Sequence, residues 1–231
     1  MTPRQGSEAE AWANYSEFYA RHVGKTSARL RFYVLMKRML DIFCSLLGLI
    51  VLSPLFIVLG ILIKVEDSKG KVFFYQTRIG KDEQPFRMYK FRSMVSDAEE
   101  RLKELLEKNE IQGAMFKMKD DPRITRIGRF IRKTSIDELP QLWNVLRGDM
   151  SLVGPRPPLP REVEEYTKRD KLRLSVIPGC TGLWQVSGRN ELSFEEMVDL
   201  DLKYIEKRGI LFDIYILFKT VRVLFGSKDA F

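Results

Sequence analysis

The chain has 231 residues, with 39 Lys and Arg against 31 Asp and Glu, giving a net charge of +8. That length suits one substantial domain with appendages, and the positive balance suits nucleic acid, anionic lipid or a phosphorylated substrate as partner. One histidine, His22, and two cysteines, Cys44 and Cys180, exclude a histidine-based triad, a multi-histidine metal site and a CxxC zinc site, so any metal must rest on carboxylates.

Residues 1 to about 28 are polar, with Trp12, Tyr15, Phe18 and Tyr19 at helical spacing. They read either as an amphipathic helix against a membrane or partner, or as a tail with one apolar face. The apolar stretch that follows starts too far in for a signal peptide. Cys44 lies within that stretch, so a structural disulfide is not expected and a reducing compartment is the default.

Ile42 to Ile63 is uncharged and strongly apolar. At a rise of about 1.5 Å per residue it could just span a bilayer. Pro54 sits in its middle, where it removes a backbone hydrogen bond and kinks a helix. Arg29, Arg31, Lys37 and Arg38 precede the stretch, and Lys64, Lys69, Lys71 and Arg78 follow it. Positive charge on both flanks assigns both to the cytoplasm. A kinked helix that enters and leaves by one face satisfies both features, with the Ser53 hydroxyl satisfying backbone groups freed at Pro54. A simple spanning helix remains an alternative on these grounds.

Val72 to Arg78 and Phe86 to Met94 read as strands, joined through Gly80 and Pro85. Alternation puts Lys90 and Arg92 on one face. Ser96 to Asn109 reads as a charged surface helix opened by a Ser96–Glu99 capping box. A basic run follows: Lys117, Lys119, Arg123, Arg126, Arg129, Arg132 and Lys133. A helix is expected to start at Asp121-Pro122 and to turn Ile124, Ile127 and Ile131 inward.

Asp137 and Glu138 then open an apolar segment with helical spacing, Leu139, Leu142, Trp143 and Leu146, ended by Gly148. Pro140 belongs in the first turn, which puts the cap near Asp137; Ser135, with Glu138 completing a capping box, is the competing cap. Carboxylates, a helix start and guanidinium groups together suit phosphoryl chemistry. One acid would attack phosphorus and the other would hold a hard cation such as Mg²⁺. A solvated capping pair is the plainer alternative.

Pro155 to Pro160 is a stiff turn that presents Arg156 with little entropy left to lose. Glu162 to Leu174 reads as a charged helix, and Pro178 to Asn190 as loop and short strand with glycines for turns. Phe194 to Lys207 is a helix carrying Asp199 and Asp201. Ile210 to Phe225 is largely apolar but interrupted by Lys219 and Arg222, so lying on the membrane interface or on the core is preferred to spanning.

The ordered series Ser53-Pro54, Phe74-Tyr-Gln-Thr-Arg-Ile-Gly80, Tyr89-Lys-Phe-Arg-Ser-Met94, Asp121-Pro-Arg-Ile-Thr-Arg-Ile-Gly128, the block Thr134 to Pro157, Pro178-Gly-Cys-Thr-Gly182 and Gln185-Val-Ser-Gly-Arg-Asn190 resembles the bacterial sugar transferases, the monotopic phosphoglycosyl transferases. The resemblance runs from about Lys37 to the C-terminal end. It implies an α/β fold: a small mixed domain with a kinked re-entrant membrane helix at Ser53 and Pro54 and interfacial amphipathic helices. It implies residues 1–36 as an extension, 37–66 as the membrane helix and 67–231 as a cytoplasmic catalytic domain.

The implied reaction moves a sugar-1-phosphate from a UDP-sugar to polyprenyl (undecaprenyl) phosphate at the cytoplasmic face of the bacterial inner membrane, releasing UMP. Asp137 would be the nucleophile and would share Mg²⁺ with Glu138. Lys90, Arg132, Arg156 and Asp201 match family positions tied to phosphate, nucleotide or site organisation; with Arg92 they form the expected substrate-binding set. No nucleic acid partner is implied, and a homodimer is left open. The rival reading is a non-catalytic, membrane-anchored basic module for anionic lipid or nucleic acid. It explains the charge and the apolar run, but not the Asp137–Glu138 pair within a Pro- and Gly-framed block.

Overall fold

A computed structural model describes residues 27–98, 100, 101, 118, 121–188 and 192–226. The N-terminal aromatic face, His22, Lys117, Lys119, Arg189, Asn190 and most of the expected 96–109 helix lie outside those residues. The chain is a mixture of helix and short sheet and divides into two compact units.

The larger unit is drawn from the described residues of Met1–Leu49, Gln76–Met88 and Gln141–Ser227. Its first helix, α1 (Ala28–Val51), begins upstream of residue 37 because Tyr33 already has a buried place. This helix is inverted relative to one in a water-soluble protein. It buries Tyr33, Asp41 and Ser45 and exposes Phe32, Leu35, Met39, Phe43, Ile50 and Val51. The buried polar groups are used. Asp41 accepts the Leu152 N–H at 3.0 Å, and Tyr33 Oη and Lys37 Nζ both donate to Asp213 Oδ2, at 2.9 and 2.8 Å.

Two short strands, β3 (Ser151–Val153) and β4 (Gly179–Thr181), pair in parallel with Ser151 opposite Gly179 and Val153 opposite Thr181. The glycines here serve close approach rather than turns. A Cβ on Gly179 would stand 2.1 Å from the Gly154 nitrogen. Only hydrogen fits where the two backbones cross. Val153, Leu183, Val186, Tyr204, Ile205 and Ile216 form the core beside this sheet. The helices α7 (Phe194–Lys207) and α8 (Ile210–Gly226) supply its last three members. Both match the sequence reading closely, since Ser193 caps α7 by a capping box with Glu196.

The expected helix over Glu162–Leu174 is broken instead into α5 (Pro160–Glu164), α6 (Lys168–Lys171) and a 3₁₀ turn, Leu172–Ser175. The break has a local cause. Thr167 and Asp170 form a capping box inside the run, with the Asp170 carboxylate accepting the Thr167 N–H at 2.9 Å, so a new helix starts there.

The smaller unit is drawn from the described residues of Ile50–Tyr75 and Tyr89–Pro140. It contains α2 (Ser53–Glu66), which continues from α1 after a bend of 57°. No single helix among the described residues is long and apolar enough to cross a membrane; the bent α1–α2 pair passes that test together. Pro54 lies in the first turn of α2, and its missing N–H would otherwise have reached Ile50 O. The Ser53 hydroxyl donates to that carbonyl at 2.7 Å, so the pair Ser53-Pro54 breaks the helix and satisfies the acceptor the break releases.

Leu59 and Ile63 of α2 meet Phe91 and Ile131 in the core of this unit. The hairpin β1 (Phe73–Ile79) and β2 (Pro85–Phe91) has its open end here, with Phe91 edge-on to Phe56 and stacked on Phe73, each at 5.2 Å. Helix α3 (Arg126–Lys133) starts five residues after the expected Asp121. Asp121 does not cap it, because its carboxylate is taken by the Arg123 side chain at 2.6 Å and the Arg123 N–H at 3.0 Å. Thr125 caps α3 instead, accepting from Gly128 N–H at 2.8 Å. The N–H groups of Arg126 and Ile127 reach the two carboxylate oxygens of Glu66, at 2.6 and 3.0 Å.

Candidate active site

Asp137 and Glu138 do not open the α-helix. They occupy a 3₁₀ turn, Ile136–Glu138, entered through Ser135 in the left-handed conformation (φ 54°). Neither expected cap forms, since Ser135 makes no side-chain cap bond and helix α4 (Gln141–Arg147) begins only after Pro140. Ile136 packs into the core of the smaller unit, which fixes the turn from below. A three-residue turn has little dipole, so positive charge near the acids comes from side chains instead.

The two acids have different surroundings. Asp137 is buried, and Glu138 is about one-third exposed. Lys90, on β2, donates to Glu138 Oε1 at 2.7 Å. Burial pushes the Asp137 carboxyl up from its ordinary value near 3.8 to about 6. Lys90 and Arg132 pull against that rise, and the Glu138 charge adds to it. Asp137 is therefore a poorly hydrated carboxylate, still mostly ionised at neutral pH, with cations on hand.

The expected residues in this unit thus separate. Lys90 and Arg132 belong with the acids. Arg92 follows β2 and is engaged at the end of α2, donating to Asp67 Oδ2 at 3.0 Å and Asp67 O at 2.6 Å. Its neighbour on the same face of the sequence pattern, Lys90, has the different partner described above.

Arg156 and Asp201 belong to the larger unit. Arg156 is exposed between the buried Pro155 and Pro157. The turn is held by more than proline stiffness. Pro155 O accepts Gly179 N–H at 2.8 Å, Pro157 O accepts Arg78 Nη1 at 3.0 Å, and Pro158 O accepts Ile79 N–H at 2.9 Å. Asp201 is wholly buried and pairs with Arg173, whose Nη1 also donates to the Tyr166 hydroxyl at 3.1 Å. Burial pushes Asp201 up to about 6 and Arg173 holds it down, while Asp201 keeps Arg173 charged. Sequence reasoning missed Arg173 and Glu66. Nothing local marks either one, since their partners lie 28 and about 60 residues away.

Among the described residues, no three His, Cys, Asp or Glu side chains gather as a metal cage. The donor set nevertheless fits Mg²⁺, which prefers hard oxygen and is commonly bound by one or two carboxylates, with water and substrate phosphate completing its shell. Asp137 and Glu138 would be those carboxylates.

Comparison with known proteins gives this geometry its context. The chain is 48% identical over 199 residues to the galactosyl transferase CpsE of Streptococcus agalactiae, covering 86% of this chain and 44% of that protein. It is 48% identical over 200 residues to the undecaprenyl-phosphate galactose phosphotransferase of Salmonella typhimurium, covering 85% and 42%. The chain thus spans less than half the length of these two relatives. The exopolysaccharide production protein ExoY of Sinorhizobium fredii is 41% identical over 199 residues, with 84% of this chain and 88% of that protein covered. The family model described as bacterial sugar transferase matches residues 32–227, the stretch that holds both acids, Lys90, Arg132, Arg156 and Asp201, and the chain belongs to that family.

Proposed function

We propose that the chain transfers a sugar-1-phosphate from a UDP-sugar to polyprenyl phosphate, with UMP as the leaving product. The observation that carries this reading is the buried Asp137 carboxylate beside Lys90 and Arg132. A carboxylate short of water is a better nucleophile than a solvated one, and fixed cations offset its repulsion from phosphate.

In the first step an Asp137 oxygen bonds to the sugar-side phosphorus, and the bond from that phosphorus to the bridging oxygen breaks. UMP departs with the electron pair, leaving a phosphosugar ester on Asp137. In the second step a phosphate oxygen of the polyprenyl phosphate attacks the same phosphorus. The Asp137 carboxylate leaves, and the polyprenyl diphosphate sugar forms. Neither step requires net proton transfer. Lys90 and Arg132 stabilise phosphoryl charge, and Arg156 is assigned to the donor's phosphates or nucleotide. Mg²⁺, when bound by Asp137 and Glu138, supplies further neutralisation of the diphosphate.

A lipid acceptor requires a site at a membrane. The apolar outward faces of α1 and α2, the bend at Ser53-Pro54 and the basic flanks support a re-entrant helix pair seated in the cytoplasmic leaflet of the bacterial inner membrane. Leu211, Ile214, Tyr215, Phe218 and Val221 make an exposed apolar face on α8 that by itself suits an interfacial position.

Incubation with UDP-sugar and Mg²⁺ in the absence of acceptor, followed by peptide mass mapping, tests the covalent step. A sugar-phosphate adduct on the peptide holding Asp137, with UMP released in equal amount, is expected. UMP release only after addition of polyprenyl phosphate would mean that the lipid attacks the donor directly. Two of the three relatives above carry galactose in their names, so UDP-galactose is the first donor to test in a panel.

A further inference from the structure

We propose that Glu66 is a positioning residue for the transfer reaction: by tying the end of α2 to the start of α3, it sets Arg132 and the Asp137 turn in place. The inference rests on the reading of Asp137 as the nucleophile, but its structural half can be measured without turnover.

Helix α3 already has an ordinary N-cap in Thr125, which uses the Gly128 N–H. Two earlier N–H groups, those of Arg126 and Ile127, still need acceptors. They take them from one carboxylate that lies about 60 residues upstream, at the last residue of α2, with one oxygen for each. Their negative partner also meets the positive end of the α3 dipole. The next acid along, Asp67, fixes a second segment by accepting from Arg92 and from Ser96 N–H at 2.7 Å. The end of α2 thus holds both strands of chain that lead towards Asp137.

The fit leaves α3 little room to adjust. A Cβ on Gly128 would lie 1.9 Å from Ser93 O, so the helix start is pressed against the backbone after β2. Ile127 and Ile131 pack on Leu59 and Ile63 of α2, and Ile136 continues that packing into the turn. Arg132 lies in the last turn of α3, and the turn that holds Asp137 follows it directly. A shift at the head of α3 therefore reaches Arg132 and Asp137 through one short rigid element.

The test uses the full chain in nanodiscs, with Glu66→Ala and Glu66→Gln. Gln retains one carbonyl oxygen to accept an N–H but loses the charge. Glu66→Ala is expected to lower kcat about tenfold with KM for the donor nearly unchanged. Glu66→Gln should restore most of the rate, which loss of folded protein alone would not do. Hydrogen exchange over residues 126–133 should quicken in Glu66→Ala. A wild-type kcat in Glu66→Ala would overturn the positioning role. Unchanged exchange over 126–133 would overturn the tie itself. If the wild type transfers from no UDP-sugar while the alanine variant still exchanges faster, the reaction fails and the tie stands.

Discussion

Lys90 Nζ donates to Glu138 Oε1 at 2.7 Å, while the adjacent Asp137 is the buried member of the acid pair. The lysine therefore neutralises the exposed acid by contact and the buried one through space. It is the larger of the two cationic influences that hold Asp137 down.

Removing that cation has a directional effect on pH dependence. In Lys90→Ala, Asp137 loses its main stabilising charge, so its carboxyl rises above about 6 and the acid limb of kcat/KM moves to higher pH. The rate at pH 7.5 should fall about tenfold or more, because phosphoryl charge also loses a donor. A pH–rate profile measures both. An unmoved limb would mean that Lys90 acts on substrate alone.

Asp137→Asn should abolish transfer and the adduct, yet yield a protein that is more stable at neutral pH. A folded-state value raised from 3.8 to about 6 means that the folded protein favours the neutral acid. That contribution to stability is fully present below pH 3.8 and is lost as pH rises through 6. The resulting cost of the buried charge at pH 7 is on the order of 3 kcal/mol at most. The asparagine variant is uncharged throughout, so its melting temperature should exceed the wild type's at pH 7.5 and lose that advantage near pH 4. Thermal melts at both values decide it.

Arg156→Lys keeps the charge but not the forked donor. Since Arg156 is exposed, the melting temperature should not change. The kcat/KM for donor should drop about tenfold or more if the contact is bidentate. Equal kinetics would reduce Arg156 to a general positive charge.

Ser53 and Pro54 should be separable. Ser53→Ala leaves Ile50 O without its 2.7 Å donor, which in hydrocarbon costs on the order of 1–3 kcal/mol. Ser53→Ala with Pro54→Ala returns a backbone N–H to that carbonyl and should recover stability while straightening the helix. In a variant lacking Cys44 and Cys180, cysteines placed at the exposed Arg31 and Lys71 should label from one compartment only. Adding the double alanine change should put them on opposite sides. Opposite labelling in the parent would establish a spanning helix.

The β1–β2 hairpin, α7 and α8 were legible because their signals are local, a Phe-, Tyr- and Val-rich pair of runs around Gly80 and Pro85 and two helical runs, whereas β3 at Ser151–Val153 carries no such signal. The start of α3 was misplaced because Asp121-Pro122 imitates a helix opening, and nothing nearby tells that Arg123 takes the carboxylate. The acid pair was legible as a candidate site, but not its left-handed entry at Ser135, which no residue preference demands. Arg92 and Asp201 looked alike as polar residues in motifs. Their partners, Asp67 and Arg173, stand 25 and 28 residues off, beyond the reach of periodicity.

The buried polar side of α1 bears on how the protein can be handled. A membrane anchor is commonly a detachable part, cut away to leave a soluble enzyme. Here Tyr33, Lys37, Arg38 and Asp41 are structural members of the larger unit, and Arg38 alone holds the Val145 and Leu146 carbonyls at the end of α4, at 2.6 and 2.8 Å. Trimming the chain to residue 50 would remove the counter-charge of Asp213 and strip the last carbonyls of α4. The shortened product should aggregate rather than dissolve, because what it loses is part of the fold as well as the proposed membrane contact.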